Sequence, residues 1–201
     1  MVEIAVDVVL LPSEEMADKA ISVNKGLLKQ CADKIVLDKE NCLPHISLAM
    51  GCIDERDIAD IETVLQTIAK QSSLGQLSVI GIHISENSAG EKVSLFHIEK
   101  TEALQSLHEE VMQKLAPYFS YDVTADMLFS TTKVSESTLA WIKNYPENSS
   151  FDRFFPHITI GYGEINELSF PIEFAASKLA LCHLGNHCTC RKILASVELE
   201  I

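Results

Sequence analysis

Apolar runs rich in Val, Ile and Leu recur along the chain, and segments with a longer apolar repeat separate them. Such runs, bounded by turn-forming or polar residues, are typical of strands with a buried face. Turn formers occupy 86–90, and Gly185-Asn186 lies between the last two runs, which are predicted to form a hairpin. Strands are predicted over 2–11, 44–50, 76–84, 92–99, 155–162, 177–184 and 190–199.

Between these runs, apolar residues repeat every three or four positions, which is the period of an amphipathic helix. Helices are predicted from Ser13 to near Cys31, from Glu55 to Gln71, over 102–116 and from Ser135 or Ser137 to Asn144, with Ser13, Asp54 and Thr101 as candidate N-caps. Two segments have no regular assignment: 120–134, in which Val123 and 127–129 are strand candidates, and 165–174, predicted to be extended or irregular. No low-complexity linker interrupts the pattern, so a single domain over 1–201 is predicted.

One six-residue pattern occurs twice, at 43–48 and at 155–160. Each copy reads apolar, Pro, His, Ile, hydroxyl, apolar, and each falls in a predicted strand. We call them the first motif, centred on His45-Ile46-Ser47, and the second motif, centred on His157-Ile158-Thr159. They are too far apart for a solenoid repeat, so the duplication predicts two related lobes.

The pleat of a strand gives this pattern a chemical meaning, because side chains at i and i+2 point to the same side. Each motif therefore presents an imidazole and a hydroxyl on one face and anchors its strand in the core through the other face. Two such strands brought together by a pseudo-twofold axis surround one small site with two imidazoles and two hydroxyls.

This set of groups suits the opening of a phosphodiester. One neutral imidazole can accept a proton from the attacking water while the other, protonated, donates to the departing oxygen. An ordinary histidine pKa of roughly 6.5 allows both forms near neutrality. The hydroxyls can hold the non-bridging phosphate oxygens. The motifs supply no carboxylate cluster, and no metal is predicted.

A structural explanation competes with this hypothesis, because a single histidine in a strand is usually a hydrogen-bonded structural residue. The tripeptide His-x-Ser/Thr is also common by chance. Two copies, each after a proline and each in an apolar strand, favour a shared functional site.

The paired motifs resemble the signature of the two-histidine (2H) phosphoesterase superfamily, which includes 2′-5′ RNA ligase-like proteins and cyclic phosphodiesterases. The resemblance implies an α+β fold: a bilobal, pseudo-twofold structure in which two antiparallel sheets line a central cleft and helices lie outside. It implies metal-independent hydrolysis, or the reverse joining, of 2′,3′-cyclic or 2′-5′ phosphodiester bonds, without a cofactor. It assigns acid and base roles to His45 and His157, and phosphate binding to Ser47 and Thr159.

The charge composition limits the classes of substrate that the chain is expected to bind. The chain has 16 Lys and Arg against 29 Asp and Glu, a formal net charge of -13. An extended nucleic-acid surface requires a basic footprint, so none is expected. Arg153 and Lys133 are the few basic candidates near the second motif or in the unassigned segment. The predicted partner is a nucleotide or a short RNA terminus.

Five further side chains are candidates for substrate binding. Phe155 and Tyr162 flank the second motif and could stack on a base, although such aromatics more often belong to a core. Arg153 could contact phosphate or lie in solvent. His83 and His97 alternate with apolar residues on strands that could face the cleft.

Six cysteines are scattered through the chain, and free thiols are predicted for all of them, Cys31 included. The group at 182–190 also invites a zinc interpretation, but its spacing is not that of the usual paired ligands. The N-terminal run carries Glu3 and Asp7 without a preceding basic residue, and no apolar run reaches a membrane-spanning length. A cytoplasmic monomer without membrane contact is therefore expected.

Three functions remain open at this point: a phosphodiester-cleaving enzyme, a module that binds AMP-like or CMP-like nucleotides without turnover, and a zinc-stabilised interaction protein. Intact motifs favour the enzyme.

Overall fold

A computed structural model describes residues 2–29, 34–86, 90–130, 133–165 and 168–199. Its strands are β1 Glu3–Pro12, β2 Ile46–Asp54, β3 Leu77–Glu86, β4 Lys92–Ile98, β5 His157–Tyr162, β6 Ile172–Phe174, β7 Ala176–Leu184 and β8 Cys190–Glu198. Its helices are α1 Glu14–Leu27, α2 Ile58–Gln71, α3 Glu102–Leu115, α4 Glu136–Lys143 and α5 Tyr145–Asn148. Short 3₁₀ turns lie at Glu55–Asp57, Ala125–Met127, Phe151–Arg153 and Asn186–Cys188.

The strands form one antiparallel eight-stranded sheet in the order β6-β3-β4-β5-β2-β1-β7-β8. This confirms the α+β class. The two predicted sheets are four-stranded halves of this sheet, joined at β2 and β5 through the single residue pair Ile46–Ile158. We call β2-β1-β7-β8 the first half and β5-β4-β3-β6 the second half. From the seam outward, each half begins with its motif strand.

The halves exchange strands along the sequence. β3 and β4 follow the first motif in the chain, yet they lie beside the second motif, because β4 pairs with β5. Conversely, β7 and β8 follow the second motif and lie in the first half, where β7 pairs with β1. This exchange requires the chain to cross the seam twice, which makes the two halves interdependent.

Helices cover the face of the sheet that carries the apolar residues of the motifs. α1 packs on β5, α2 on β8 and β7, and α3 on β2 and α2. Ile46, Leu48, Ile158 and Ile160 are all fully buried in one continuous core. Complete burial of such side chains stabilises the fold by about 1.5–3 kcal/mol each.

Helix starts follow the predicted caps with one exception. The Thr101 hydroxyl accepts from the Leu104 amide at the start of α3, and Ser135, not Ser137, caps α4. Asp54 caps the 3₁₀ turn that precedes α2. Ser13 occupies the cap position of α1, but its side chain makes no capping hydrogen bond.

Several boundaries differ from the prediction: α2 begins at Ile58 and not at Glu55, and β2 covers Ile46–Asp54 and not 44–50. α1 ends at Leu27, earlier than expected, and Cys31 lies outside the described residues, as do 87–89 of the turn-forming stretch. Val123 and 127–129 are not in strands, since Met127 ends a 3₁₀ turn. The 165–174 segment contains the short strand β6.

The cysteine prediction is wrong for one pair, because Cys182 and Cys190 form a disulfide. They lie on the adjacent strands β7 and β8, whose pairing brings their Cα atoms to 5.6 Å, within the normal bridging range. Cys42, Cys52 and Cys188 are free thiols. Cys188 belongs to the 3₁₀ turn before β8.

Candidate active site

The two motifs meet at the seam of the sheet. Ile46 pairs with Ile158 in antiparallel register, so the residue before each isoleucine lies beside the residue after the other. His45 is therefore neighbour to Thr159, and Ser47 is neighbour to His157. The four side chains are partly exposed, whereas both isoleucines are completely buried. The motifs thus place their imidazoles and hydroxyls together on the face opposite the core.

Both imidazoles are held in the same way. His45 Nδ1 lies 2.7 Å from the Leu43 carbonyl oxygen, and His157 Nδ1 lies 2.8 Å from the Phe155 carbonyl oxygen. In each motif the acceptor is two residues earlier, so the neutral ring carries its hydrogen on Nδ1 and donates it to the backbone. The Nε2 atom of each ring is left with a lone pair for proton transfer.

Burial keeps both rings neutral at neutral pH. Desolvation lowers the pKa of His45 to about 4; the Leu43 carbonyl opposes this shift and His157 adds to it. Desolvation also lowers the pKa of His157, opposed by the Phe155 carbonyl and assisted by His83 and His97. The charge of a protonated His157 would lower the pKa of His45, which indicates that the two rings lie near each other. An anion bound between them would raise both pKa values.

The low pKa of His45 makes stability depend on pH. In the unfolded chain this histidine takes up a proton near pH 6.5, whereas folded His45 does so only near pH 4. Protonation therefore favours the unfolded chain, and the free energy of unfolding falls as pH falls through this window. The shift corresponds to about 3 kcal/mol. We expect His45→Asn, which cannot titrate, to lose less stability than the wild type over this window in urea unfolding. Equal losses in both proteins would contradict the prediction.

An aromatic and imidazole cluster adjoins the second motif. The Phe155 ring is stacked on His97, with 4.7 Å between ring centroids, and lies 5.1 Å from His83 and 5.7 Å from His157. His97 pairs with His157 across β4 and β5. Phe155 is 38% exposed, so the core interpretation is wrong, and its ring lies at the surface beside three imidazoles.

Two sequence candidates lie away from this cluster. The Arg153 guanidinium is exposed and donates from Nη1 to the Glu147 carbonyl oxygen, 2.5 Å away, at the end of α5. Tyr162 is at the far end of β5, where its ring contacts His187 and lies under Lys34 Nζ. Neither side chain contacts the motif histidines.

Asp7 on β1 was not predicted as a site residue. It is fully buried, its Oδ2 lies 2.6 Å from Ser47 Oγ and 3.8 Å from His45 Nε2, and its Oδ1 has no hydrogen-bond partner among the described residues. The available sequence signal is a single carboxylate in the middle of an otherwise apolar strand.

His108 on α3 also escaped sequence reasoning because it lacks a motif. The fully buried ring donates from Nδ1 to the Leu48 carbonyl and accepts the Phe151 amide at Nε2, both at 2.7 Å. It also stacks on Phe154 with 4.1 Å between centroids. His108 thereby connects the strand of the first motif to the segment that leads into the second.

Within the described residues, no group of three or more His, Cys, Asp or Glu side chains is arranged to hold a metal ion. Cys182 and Cys190, two members of the candidate zinc group, are joined in a disulfide and have no thiolate to offer a metal. Nor is any helix in these residues long and apolar enough to span a bilayer.

No family model matches the chain, and neither does any curated protein. Among solved structures, the chain is similar to E. coli LigT in its apo form, at 13% sequence identity and a TM-score of 0.49, with 100% of both chains covered. At these values the similarity carries no argument about function, which therefore depends on the site itself.

Proposed function

We propose that the chain is a metal-independent phosphoesterase that cleaves, or reversibly joins, 2′,3′-cyclic or 2′-5′ phosphodiester bonds of nucleotides or RNA ends. One observation carries the proposal: two identical histidine arrangements, each with Nδ1 fixed by the carbonyl two residues earlier, face one site around the Ile46–Ile158 pair. No cofactor is required, and because one chain supplies both motifs, a monomer suffices.

In this mechanism His45 and His157 exchange protons with the substrate through Nε2. One neutral ring accepts a proton from the attacking water, and the other donates a proton to the departing ribose oxygen. The same two groups exchange roles in the reverse reaction. The donor must first become protonated, and the negative charge of the bound phosphate favours this by raising its depressed pKa.

Ser47 and Thr159 are proposed to hold the non-bridging oxygens. Each shares the strand face of its motif histidine and lies beside the histidine of the other motif. Hydrogen bonds from these hydroxyls would orient the phosphorus between the two Nε2 atoms.

The Phe155 cluster is the proposed nucleobase site. A flat ring that is partly exposed and bordered by His83 and His97 offers a stacking surface next to His157. We expect Phe155→Ala to raise KM for a cyclic nucleotide about tenfold or more, since base stacking contributes about 1–3 kcal/mol. A smaller loss is expected for Phe155→Tyr. An unchanged KM in Phe155→Ala would show that the base does not stack on this surface.

A turnover screen tests the proposal. The wild type should hydrolyse at least one 2′,3′-cyclic nucleotide or 2′-5′ dinucleotide in the presence of a chelator, with a single phosphomonoester product by chromatography. No turnover on any of these substrates would contradict it.

The second candidate is a nucleotide-binding module that does not turn over its ligand. It is favoured by the neutrality of both rings, because a resting site without a protonated histidine has no general acid. Calorimetry with AMP and CMP beside the turnover screen separates the two functions: binding without turnover supports the module.

A further inference from the structure

Asp7 breaks the symmetry between the two motifs. Its Oδ2 is 2.6 Å from Ser47 Oγ, whereas the equivalent hydroxyl, Thr159, has no hydrogen bond to any other described residue. The Asp7 side chain is completely inaccessible, and Oδ1 has no hydrogen-bond partner in the described part of the chain. A fully buried carboxylate without a positively charged partner is costly, and hydrogen bonds from Ser47 and the Ala49 backbone offset that cost only in part, so the environment favours the uncharged acid.

The groups around Asp7 provide no positive charge to stabilise its ionised form. His45 Nε2 is 3.8 Å away, but that ring is neutral, its pKa being about 4. Burial raises the pKa values of Tyr145 on α5 and Cys188 in the turn before β8, and the charge of an ionised Asp7 would raise both further. Burial raises the pKa of Asp7 well above its ordinary value, against opposition from Ser47 and the Ala49 backbone.

A hydroxyl has one hydrogen, and this limits what Ser47 can do. If Asp7 is ionised, Ser47 must donate its hydrogen to Oδ2 and cannot donate to a phosphate. If Asp7 is protonated, the acid donates to Ser47 Oγ, and the Ser47 hydrogen is available to the substrate. The same 2.6 Å separation accommodates both arrangements.

We propose that Asp7 is a positioning residue of the phosphate subsite: its protonated carboxyl donates to Ser47 Oγ and directs the Ser47 hydrogen to a phosphate oxygen. This inference depends on the proposed function. When Asp7 loses its proton at high pH, the Ser47 hydroxyl donates to Asp7 and no longer to the phosphate, and a negative charge lies beside the phosphate. Affinity for phosphate esters should therefore fall more as pH rises than deprotonation of the two motif histidines alone would cause.

The test compares the wild type with Asp7→Asn and Asp7→Ala, using KM for 2′,3′-cyclic CMP and calorimetry with CMP at about pH 6 and about pH 9. The asparagine amide donates to Ser47 Oγ at every pH. We expect wild-type affinity to fall about tenfold or more between these pH values, and the affinity of Asp7→Asn to fall less, by only the part that the two motif histidines cause. Asp7→Ala should bind more weakly than Asp7→Asn at both.

Two hydroxyl variants locate the effect. Ser47→Ala should bind weakly and keep only the pH dependence that the histidines cause, whereas Thr159→Ala should bind weakly and keep the full wild-type pH dependence. Difference infrared spectra supply a readout that does not depend on the substrate: the carbonyl stretch of a protonated carboxyl should be present at neutral pH in the wild type and absent in Asp7→Asn.

Three results would each overturn the Asp7 proposal alone. They are wild-type affinity that does not change with pH, a pH response in Asp7→Asn equal to that of the wild type, and the absence of the carboxyl band. If the wild type neither binds CMP nor turns over the cyclic nucleotide at either pH, the proposed function fails, and the substrate role of Asp7 fails with it.

Discussion

His45→Ala and His157→Ala should each lower kcat for a 2′,3′-cyclic nucleotide by about 10²–10⁴-fold, because each variant removes one proton transfer from the reaction. Both rings act on one phosphorus atom, so the two losses should not multiply. The double variant is expected to be about as inactive as the worse single variant. Initial-rate kinetics with each purified protein measures this directly.

The control is His187→Asn, which removes an imidazole outside the site and retains a residue type that tolerates the positive φ of 60° at this position. Its kcat should be unchanged. Circular dichroism must show folded protein for every variant, and free imidazole should partly restore the alanine variants. Full activity in either single variant, or losses that multiply in the double variant, would contradict paired acid and base catalysis.

The local part of the site was predictable because strand periodicity is a property of neighbouring residues. The alternation of polar and apolar positions places His157 and Thr159 on one face and Ile158 in the core, and the burial pattern of β5 confirms it. The same holds for Ser47 and Ile46 on β2. His45 lies just before β2 and still reaches the site.

Pairing across long distances was not predictable in the same way. Nothing in the local pattern of β3 and β4 shows that they will join β5 in the second half and not β2. The same limitation explains the disulfide, since the spacing of Cys182 and Cys190 does not reveal the bulges that set their cross-strand register.

Roles that depend on a distant partner were also not predictable from the local sequence. Asp7 is a single polar residue in an apolar run until β1 pairs with β2 and brings its carboxyl to Ser47. Phe155 has the same parity as His157, but only the approach of β3 and β4 shows that imidazoles, and not aliphatic side chains, surround its ring.

His108 is the structural link between the two motifs, and its removal should have the largest effect on stability. His108→Ala leaves the Leu48 carbonyl and the Phe151 amide without partners in the core and removes the ring that stacks on Phe154. Unsatisfied buried groups cost about 1–3 kcal/mol each, and the cavity adds to this. We expect the free energy of unfolding to fall by about 3–5 kcal/mol.

Two matched variants separate packing from hydrogen bonding. His108→Phe retains the ring that stacks on Phe154 but loses both hydrogen bonds, so its loss should be smaller than that of the alanine variant and still exceed about 1 kcal/mol. His83→Ala removes an exposed imidazole and should change stability by less than about 1 kcal/mol. Urea unfolding followed by circular dichroism gives all three values. Because His108 holds Leu48 on one side and Phe151 on the other, a stability loss in His108→Ala no larger than that of His83→Ala would show that the two motif segments are held in place without it.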